Sequence, residues 1–128
     1  MEYGYALYKT SATNGCQFVS INNCVITLSR INNAAGSGPM VDGSTGILSA
    51  NSTATAAITA ITVTASAGTN SNNSFYNNTI QNCNTGIALI GYAASSPFSS
   101  ADQNNDIGGT TIATGNRIMN FGGATGAT

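Results

Sequence analysis

Carboxylates are the residues from which this chain would have to build hydrolytic or lyase chemistry. Its 128 residues include four acids, three basic residues and no histidine. Asp102 and Asp106 are the closest pair of acids along the chain, and they stand beside Asn104 and Asn105. Glycosidases need two carboxylates that flank the scissile bond, and Ca²⁺ takes about six to eight oxygen ligands. We interpret the stretch as a polar loop and expect no catalytic residue, no metal and no cofactor in this chain.

The cysteines and the missing histidine narrow the possible chemistry further. Without histidine, neither a Ser-His-Asp triad nor a Cys-His pair can form within the chain. The cysteines are Cys16, Cys24 and Cys83, and an odd number argues against a complete disulfide framework. No CxxC pair offers a zinc site. We interpret all three cysteines as small buried thiols.

The composition excludes several classes of partner and favours one class of fold. Only 5% of the residues are charged and the net charge is −1, so no basic surface exists for nucleic acid or an anionic membrane. The least polar stretch, residues 54–67, is too short and too rich in threonine to span a bilayer. The first residues lack the pattern of a signal peptide, so a secretion signal would have been removed or would belong to a longer parent chain. The abundance of Thr, Asn, Ser and Gly predicts an all-β fold with many turns.

A short motif, Ile-x-Asn followed by Cys or Phe, recurs three times. The copies are Ile21–Cys24, Ile80–Cys83 and Ile118–Phe121, and a second motif, Thr-Gly-Ile, occurs at Thr45–Ile47 and Thr85–Ile87. Strands this short need neighbours above and below them to be stable. The spacing between the copies is unequal, which predicts stacked coils interrupted by loops near residues 36–44 and 92–110.

Stacking the copies of the first motif predicts two columns of side chains. The isoleucines would form an aliphatic core column, and the asparagines an inward ladder whose stacked amides satisfy one another. The columns would contain Ile21, Ile80 and Ile118, and Asn23, Asn82 and Asn120. Cys24 and Cys83 would share one position in different coils.

One threonine-rich stretch shows the clearest strand alternation. Ile61, Val63 and Ala65 would face a dry side, and Thr62 and Thr64 a solvated side. Threonines arrayed over several strands would suggest ice binding, but among the predicted strands only this one has the Thr-x-Thr spacing, at Thr62 and Thr64. We therefore interpret the threonines as an ordinary solvated face.

The tyrosines are candidates for stacking on sugars. They are Tyr3, Tyr5, Tyr8, Tyr76 and Tyr92. Alternation at the first two positions predicts that they share one strand face. We favour a packing role for them over sugar binding.

Three stretches of the chain resemble bacterial right-handed parallel β-helix repeat proteins. They are residues 77–83 (Asn-Asn-Thr-Ile-Gln-Asn-Cys), residues 115–123 (Gly-Asn-Arg-Ile-Met-Asn-Phe-Gly-Gly) and residues 105–109 (Asn-Asp-Ile-Gly-Gly). More narrowly, they resemble long secreted cell-surface proteins of gliding Bacteroidetes-type bacteria. The resemblance implies a β-solenoid of roughly four to six irregular coils. Residues 1–128 would form one segment of it, as a fragment of a longer chain.

The resemblance implies a structural or adhesive role in a secreted or cell-surface protein, with a surface glycan as a candidate ligand. The alternative is part of a polysaccharide lyase or hydrolase whose catalytic residues lie outside these 128 residues. An ice-binding solenoid is the third reading. Unpaired strand edges at the ends of the stack predict end-to-end self-association or a covering partner. We expect no enzymatic activity in this chain and an extracellular or cell-surface location.

Overall fold

Short parallel strands form the scaffold of the protein. The computed structural model describes residues 1–30, 43–91 and 94–122, and within them there is no α-helix. The strands are β1 (Glu2–Leu7), β2 (Ser20–Asn22), β3 (Val25–Thr27), β4 (Ser44–Ala50), β5 (Ser74–Tyr76), β6 (Thr79–Cys83), β7 (Thr85–Ile90), β8 (Asp106–Ile107) and β9 (Arg117–Phe121). Two single 3-10 turns lie at Ser66–Gly68 and Ile112–Thr114. The prediction of an all-β chain is confirmed.

The strands pair into three parallel sheets, which the chain visits repeatedly in the same order. The first sheet is β1-β4-β7, the second β2-β5-β8 and the third β3-β6-β9. We call one passage through the three sheets a round, so β1–β3, β4–β6 and β7–β9 are the first, second and third rounds. In the second and third sheets, corresponding residues lie 54 positions apart between the first two rounds and 32 or 38 apart between the last two. The described residues therefore make three rounds, fewer than the roughly four to six predicted, because each round carries longer connections than the expected coil.

Glycines in the first sheet make room for isoleucines of the third sheet. The two columns contain Gly4, Gly46 and Gly86, and Ile26, Ile80 and Ile118. A Cβ on Gly46 would lie 2.5 Å from the carbonyl oxygen of Gly86, and one on Gly86 would lie 2.7 Å from the Ile118 side chain. At both positions an added Cβ would force the contacting atoms to move. The Thr-Gly-Ile repeat is confirmed, since Thr45 pairs with Thr85 in the parallel register.

The first copy of the Ile-x-Asn motif is out of register with the other two. Ile80 pairs with Ile118 in the third sheet, as predicted. Ile21, however, pairs with Phe75 in the second sheet, and Ile26 takes the predicted place opposite Ile80. The predicted column is therefore wrong for Ile21. In both the second and the third sheet, strands end at or near an asparagine with left-handed backbone angles. The sequences of the two kinds of strand are therefore similar.

The threonine-rich stretch does not form a strand. Residues 61–64 have no ladder partner, although Val63 is buried as the alternation predicts. The Ile61 N–H donates to the Asn51 carbonyl (3.0 Å), and the Thr64 N–H donates to the Ala12 carbonyl (3.1 Å). Because these acceptors belong to different turns, no continuous ladder forms.

The predicted loops lie partly outside the described residues. Residues 36–42 and 92–93 are not described, and Ser44 already begins β4. The second predicted loop contains β8, whose two residues pair with Ser74 and Phe75 of β5. This short strand was missed because flanking polar residues conceal it.

Candidate functional site

The inward asparagine ladder exists, but different asparagines build it. Asn23 and Asn120 are exposed and Asn82 is half-buried, and all three have left-handed φ values, from 48° to 56°. Asn120 Nδ2 donates to Asn82 Oδ1 at 2.5 Å, and Asn77 Nδ2 donates to Asn23 Oδ1 at 2.8 Å. The predicted inward ladder at these positions is therefore wrong. They belong to two separate outer amide pairs, Asn23–Asn77 and Asn82–Asn120, at turns whose left-handed conformation asparagine tolerates better than most residues.

Asn78 shows how the inner ladder connects all three rounds. Its Oδ1 accepts the Cys24 N–H of the first round at 3.1 Å, and its Nδ2 donates to the Ile21 carbonyl at 2.9 Å. Its own backbone N–H donates to Asn116 Oδ1 of the third round at 3.0 Å. Asn78 is 1% exposed. Each buried asparagine thus supplies hydrogen-bond partners to backbone groups that the turn would otherwise leave unsatisfied.

The same arrangement recurs at two further turns. Asn73 Oδ1 accepts the Val19 N–H at 2.9 Å, and the Asn73 N–H donates to Asn105 Oδ1 at 3.0 Å. Asn70 Oδ1 accepts the Cys16 N–H at 2.9 Å. Among the described residues, no buried side-chain nitrogen or oxygen lacks a hydrogen-bond partner.

An ion pair between Lys9 and Asp102 continues this pattern inside the protein. Lys9 Nζ lies 3.0 Å from Asp102 Oδ1, and the Lys9 side chain is 0% exposed. The same Oδ1 accepts the backbone N–H of Asn70 at 2.8 Å. Asp102 is therefore a structural acid that joins the first, second and third rounds. The interpretation as part of a polar loop missed this role.

Asp106 has separate partners at the surface. Its Oδ2 accepts the Tyr76 hydroxyl proton at 2.7 Å, and its Oδ1 accepts the Gly109 N–H at 3.1 Å. The bond to the carboxylate raises the pKa of Tyr76. Asp102 and Asp106 thus have no partner in common. In the described part of the chain, no group of three or more His, Cys, Asp or Glu residues could hold a metal ion.

The described tyrosines do not form a common platform. The Tyr3 and Tyr8 rings meet edge to face, with centroids 6.4 Å apart. Burial, together with the Tyr8 hydroxyl, raises the pKa of Tyr3. Tyr5 contacts Cys24 instead, with 3.6 Å between Oη and Sγ. Tyr92 lies outside the described residues.

All three cysteines are free, and they differ in burial. Cys83 is fully buried in the core, whereas Cys16 and Cys24 are half-buried. Burial raises the pKa of the Cys83 thiol, and it raises that of Cys16 against a smaller opposing effect of Lys9. Buried thiols are thus confirmed for Cys83. Cys83 pairs with Phe121, but the prediction that Cys24 and Cys83 share a position is wrong, because Cys24 lies beside Asn78 and donates its N–H to Asn78 Oδ1.

A cleft of about 340 Å³ opens just before the strands of the second sheet. We call it the amide cleft; its lining residues are Gln17, Ser66, Ala67, Thr69, Ser71, Asn72, Ser100, Gln103 and Asn104. None of these lining residues is charged. Ser71 Oγ donates to Thr69 Oγ1 at 2.7 Å and accepts the Gln103 N–H at 3.0 Å, which fixes the floor. Sequence reasoning missed the cleft, because its residues meet only through the register of the three rounds.

The amide side chains at the rim of the amide cleft use only part of their hydrogen-bonding capacity within the described residues. Gln17 Nε2 donates to the Ser66 carbonyl at 2.7 Å and to Thr69 Oγ1 at 3.0 Å. Asn104 Nδ2 approaches Asn72 Oδ1 at 3.4 Å. Three amide atoms have no hydrogen-bond partner among the described residues: Gln17 Oε1, Asn72 Nδ2 and Asn104 Oδ1. The cleft thus combines a fixed floor with free amide donors and acceptors.

Comparisons of this chain with protein-family models, curated proteins and solved structures give no match. Within the described ranges, no helix has the length and apolar character needed to cross a membrane.

Proposed function

We propose that the chain is a segment of a right-handed parallel β-helix with a structural or adhesive role in a secreted or cell-surface protein. The observation that carries the proposal is the use of buried polar groups. The inner ladder of Asn70, Asn73 and Asn78 and the pair Lys9–Asp102 all link one round to the next. These buried hydrogen bonds and the ion pair hold the three rounds together.

The order of the strands supports the parallel β-helix form. Each round visits the same sheets in the same order, and every neighbouring pair of strands is parallel. Crossover connections between parallel strands of one sheet are right-handed in about 98% of cases. This general rule of strand connection favours the right-handed form.

The surface supports a location outside the cell. Few charges are available to keep the chain in solution, and exposed Asn, Thr and Ser take their place. Resemblance to the secreted proteins of gliding bacteria points in the same direction. Fractionation of the source cells tests the location. An antibody against the chain should stain intact cells, and external protease should remove the epitope; recovery of the protein in the cytosol alone would contradict the proposal.

The third-round end offers an apolar surface for a second copy of the chain. A groove of about 490 Å³ lies there, and its apolar side chains are Ile87, Ile107, Ile112 and Ile118. Asp106 and Arg117 are both exposed at this end, so a two-fold copy can pair each charge with its opposite. We propose that two chains associate through their third-round ends.

Sedimentation over a range of concentrations tests this association. Ile112 is fully exposed, so Ile112→Asp should leave the fold intact and abolish the dimer. Val25→Asp changes a residue of the first round that is 74% exposed and should leave the dimer unchanged. A parent chain that stays monomeric at every concentration, or an Ile112→Asp variant that dimerises normally, would contradict the proposal.

A further inference from the structure

We infer that the amide cleft, with Phe18 at its edge, binds a neutral saccharide. The inference names a ligand class for the adhesive role proposed above and rests on that role. It draws on three observations: the uncharged lining of the cleft, the position of Phe18 and the backbone conformation of Phe18.

The lining of the amide cleft fits a ligand with many hydroxyl groups and no charge. Its side chains present amide and hydroxyl groups, which donate and accept hydrogen bonds. Asp102, the acid beside the lining residue Gln103, is already paired with Lys9. A volume of about 340 Å³ lies within the range of small-ligand sites. A charged ligand would find no counter-charge in this lining.

Phe18 supplies the aromatic surface that such a ligand needs. Saccharide rings have apolar C–H faces, which pack on aromatic rings. Phe18 is 76% exposed, and its backbone N–H donates to the carbonyl of Ser71 in the cleft floor. It stands at the same register position as Asn72 and Asn104, which line the cleft. The hydrogen bond from the Phe18 N–H to the Ser71 carbonyl, 3.3 Å long, sets the Phe18 backbone beside that of Asn72.

The backbone of Phe18 indicates that the fold alone does not explain this residue. Phe18, Asn72 and Asn104 have φ values of 57°, 60° and 57°. Asparagine accepts this left-handed conformation, whereas a bulky aromatic residue rarely does. The first round thus keeps a strained, exposed phenylalanine where the other two rounds have asparagine. Strain of this kind is concentrated at binding sites.

Phe18→Asn is the sharpest variant, because it removes the ring and gives the first round the residue of the other two rounds. Calorimetric titration would use neutral tetrasaccharides of glucose, mannose, galactose and xylose, with tetragalacturonate as the charged comparison. We expect at least one neutral probe to bind, and Phe18→Asn to weaken it about tenfold. The thermal midpoint of Phe18→Asn should equal or exceed that of the parent chain, which separates lost binding from lost folding.

Two controls locate the site. Phe121→Asn removes another exposed phenylalanine, 62% exposed at the end of β9, and should leave the affinity unchanged. Asn72→Gly keeps the left-handed backbone but removes the amide, and should weaken binding severalfold. Binding of tetragalacturonate alone, no binding of any neutral probe, or unchanged binding by Phe18→Asn would overturn the inference. A chain that binds no probe but is found on the cell surface would leave the structural role standing.

Discussion

The two ends of the stack carry the same kinds of residue but are covered to different extents. In the third sheet, Ile26 of the first round is 6% exposed, whereas Ile118 of the third round is 38% exposed. In the second sheet, the corresponding values are 6% for Ile21 and 47% for Ile107. Ile80, between the two ends, is 0% exposed. In the second and third sheets, the first-round end is therefore covered and the third-round end is exposed, whereas in the first sheet Tyr5 of β1 is itself 43% exposed.

In these two sheets, the position in the stack, and not the residue type, therefore decides whether the isoleucine is buried. It also limits how two copies can associate. Head-to-tail stacking needs matching surfaces at both ends and leads to fibres, whereas association through the exposed isoleucines of the third round alone gives a closed pair. The variants described next compare equivalent positions at the two ends or test the contact that joins them.

The largest effect is expected where an ion pair couples the first and third rounds. Asp102→Ala would leave the buried ammonium of Lys9 without its carboxylate, and should lower the free energy of unfolding by about 4 kcal/mol in urea denaturation. Asp106→Ala is the matched control, because Asp106 is exposed, and should cost less than about 1 kcal/mol. Equal losses in the two variants would show that the buried pair does not join the rounds.

Alanine substitution at the two ends of the isoleucine column tests the comparison directly. Ile26→Ala should lower the free energy of unfolding by about 3 kcal/mol, because it empties a buried site. Ile118→Ala should cost about 1 kcal/mol, since its side chain already meets solvent. Thermal unfolding measures both. A cost at Ile118 equal to that at Ile26 would indicate that the third-round end is covered.

The glycine column gives a second comparison. At Gly46 an added Cβ would meet the Gly86 carbonyl oxygen, so Gly46→Ala must separate two strands and should cost about 2 kcal/mol. At Gly86 the contact is the half-exposed side chain of Ile118, which can move, so Gly86→Ala should cost about 1 kcal/mol or less. Urea denaturation of both variants decides the order. The reverse order would mean that the open end is packed as rigidly as the middle.

The smallest difference in the free energy of unfolding is expected between two asparagines of the inner ladder. Asn78→Ala leaves the Cys24 N–H and the Ile21 carbonyl without their partner and should cost about 2 kcal/mol. Asn116→Ala frees the Phe75 carbonyl and the Asn78 N–H at the half-buried end, where water can replace the amide, and should cost about 1 kcal/mol. Chemical denaturation of both variants measures the difference. If neither variant lost stability, the ladder would not be what connects the rounds.

Sequence motifs predicted the scaffold best where one steric requirement determines the residue at a position. The Thr-Gly-Ile repeat marks the first sheet correctly, because only glycine leaves space for the isoleucine of the third sheet. The Ile-x-Asn repeat was aligned wrongly for Ile21. A left-handed asparagine follows strands of two different sheets, so the same letters occur at two different turns. Inward and outward asparagines alternate over a few residues, and their order depends on the register.

The candidate site was beyond sequence reasoning for a different reason. Lys9 and Asp102 are 93 residues apart, and no local pattern connects them. The amide cleft likewise gathers residues from three rounds whose spacing changes from 54 to 32 positions. Phe18 becomes unusual only when it is compared with Asn72 and Asn104 in the same column. That comparison requires the paired strands.

Hydrogen exchange at two protein concentrations tests most directly that the second and third sheets are covered at the first-round end and exposed at the third-round end. In dilute solution, the amides of β6 should be the most protected and those of β9 the least. Raising the concentration should protect β9 (Arg117–Phe121), as the third-round ends of two chains meet, and leave β3 (Val25–Thr27) unchanged. Protection of β9 equal to that of β6 in dilute solution, or a gain at β3 instead of β9, would contradict the account.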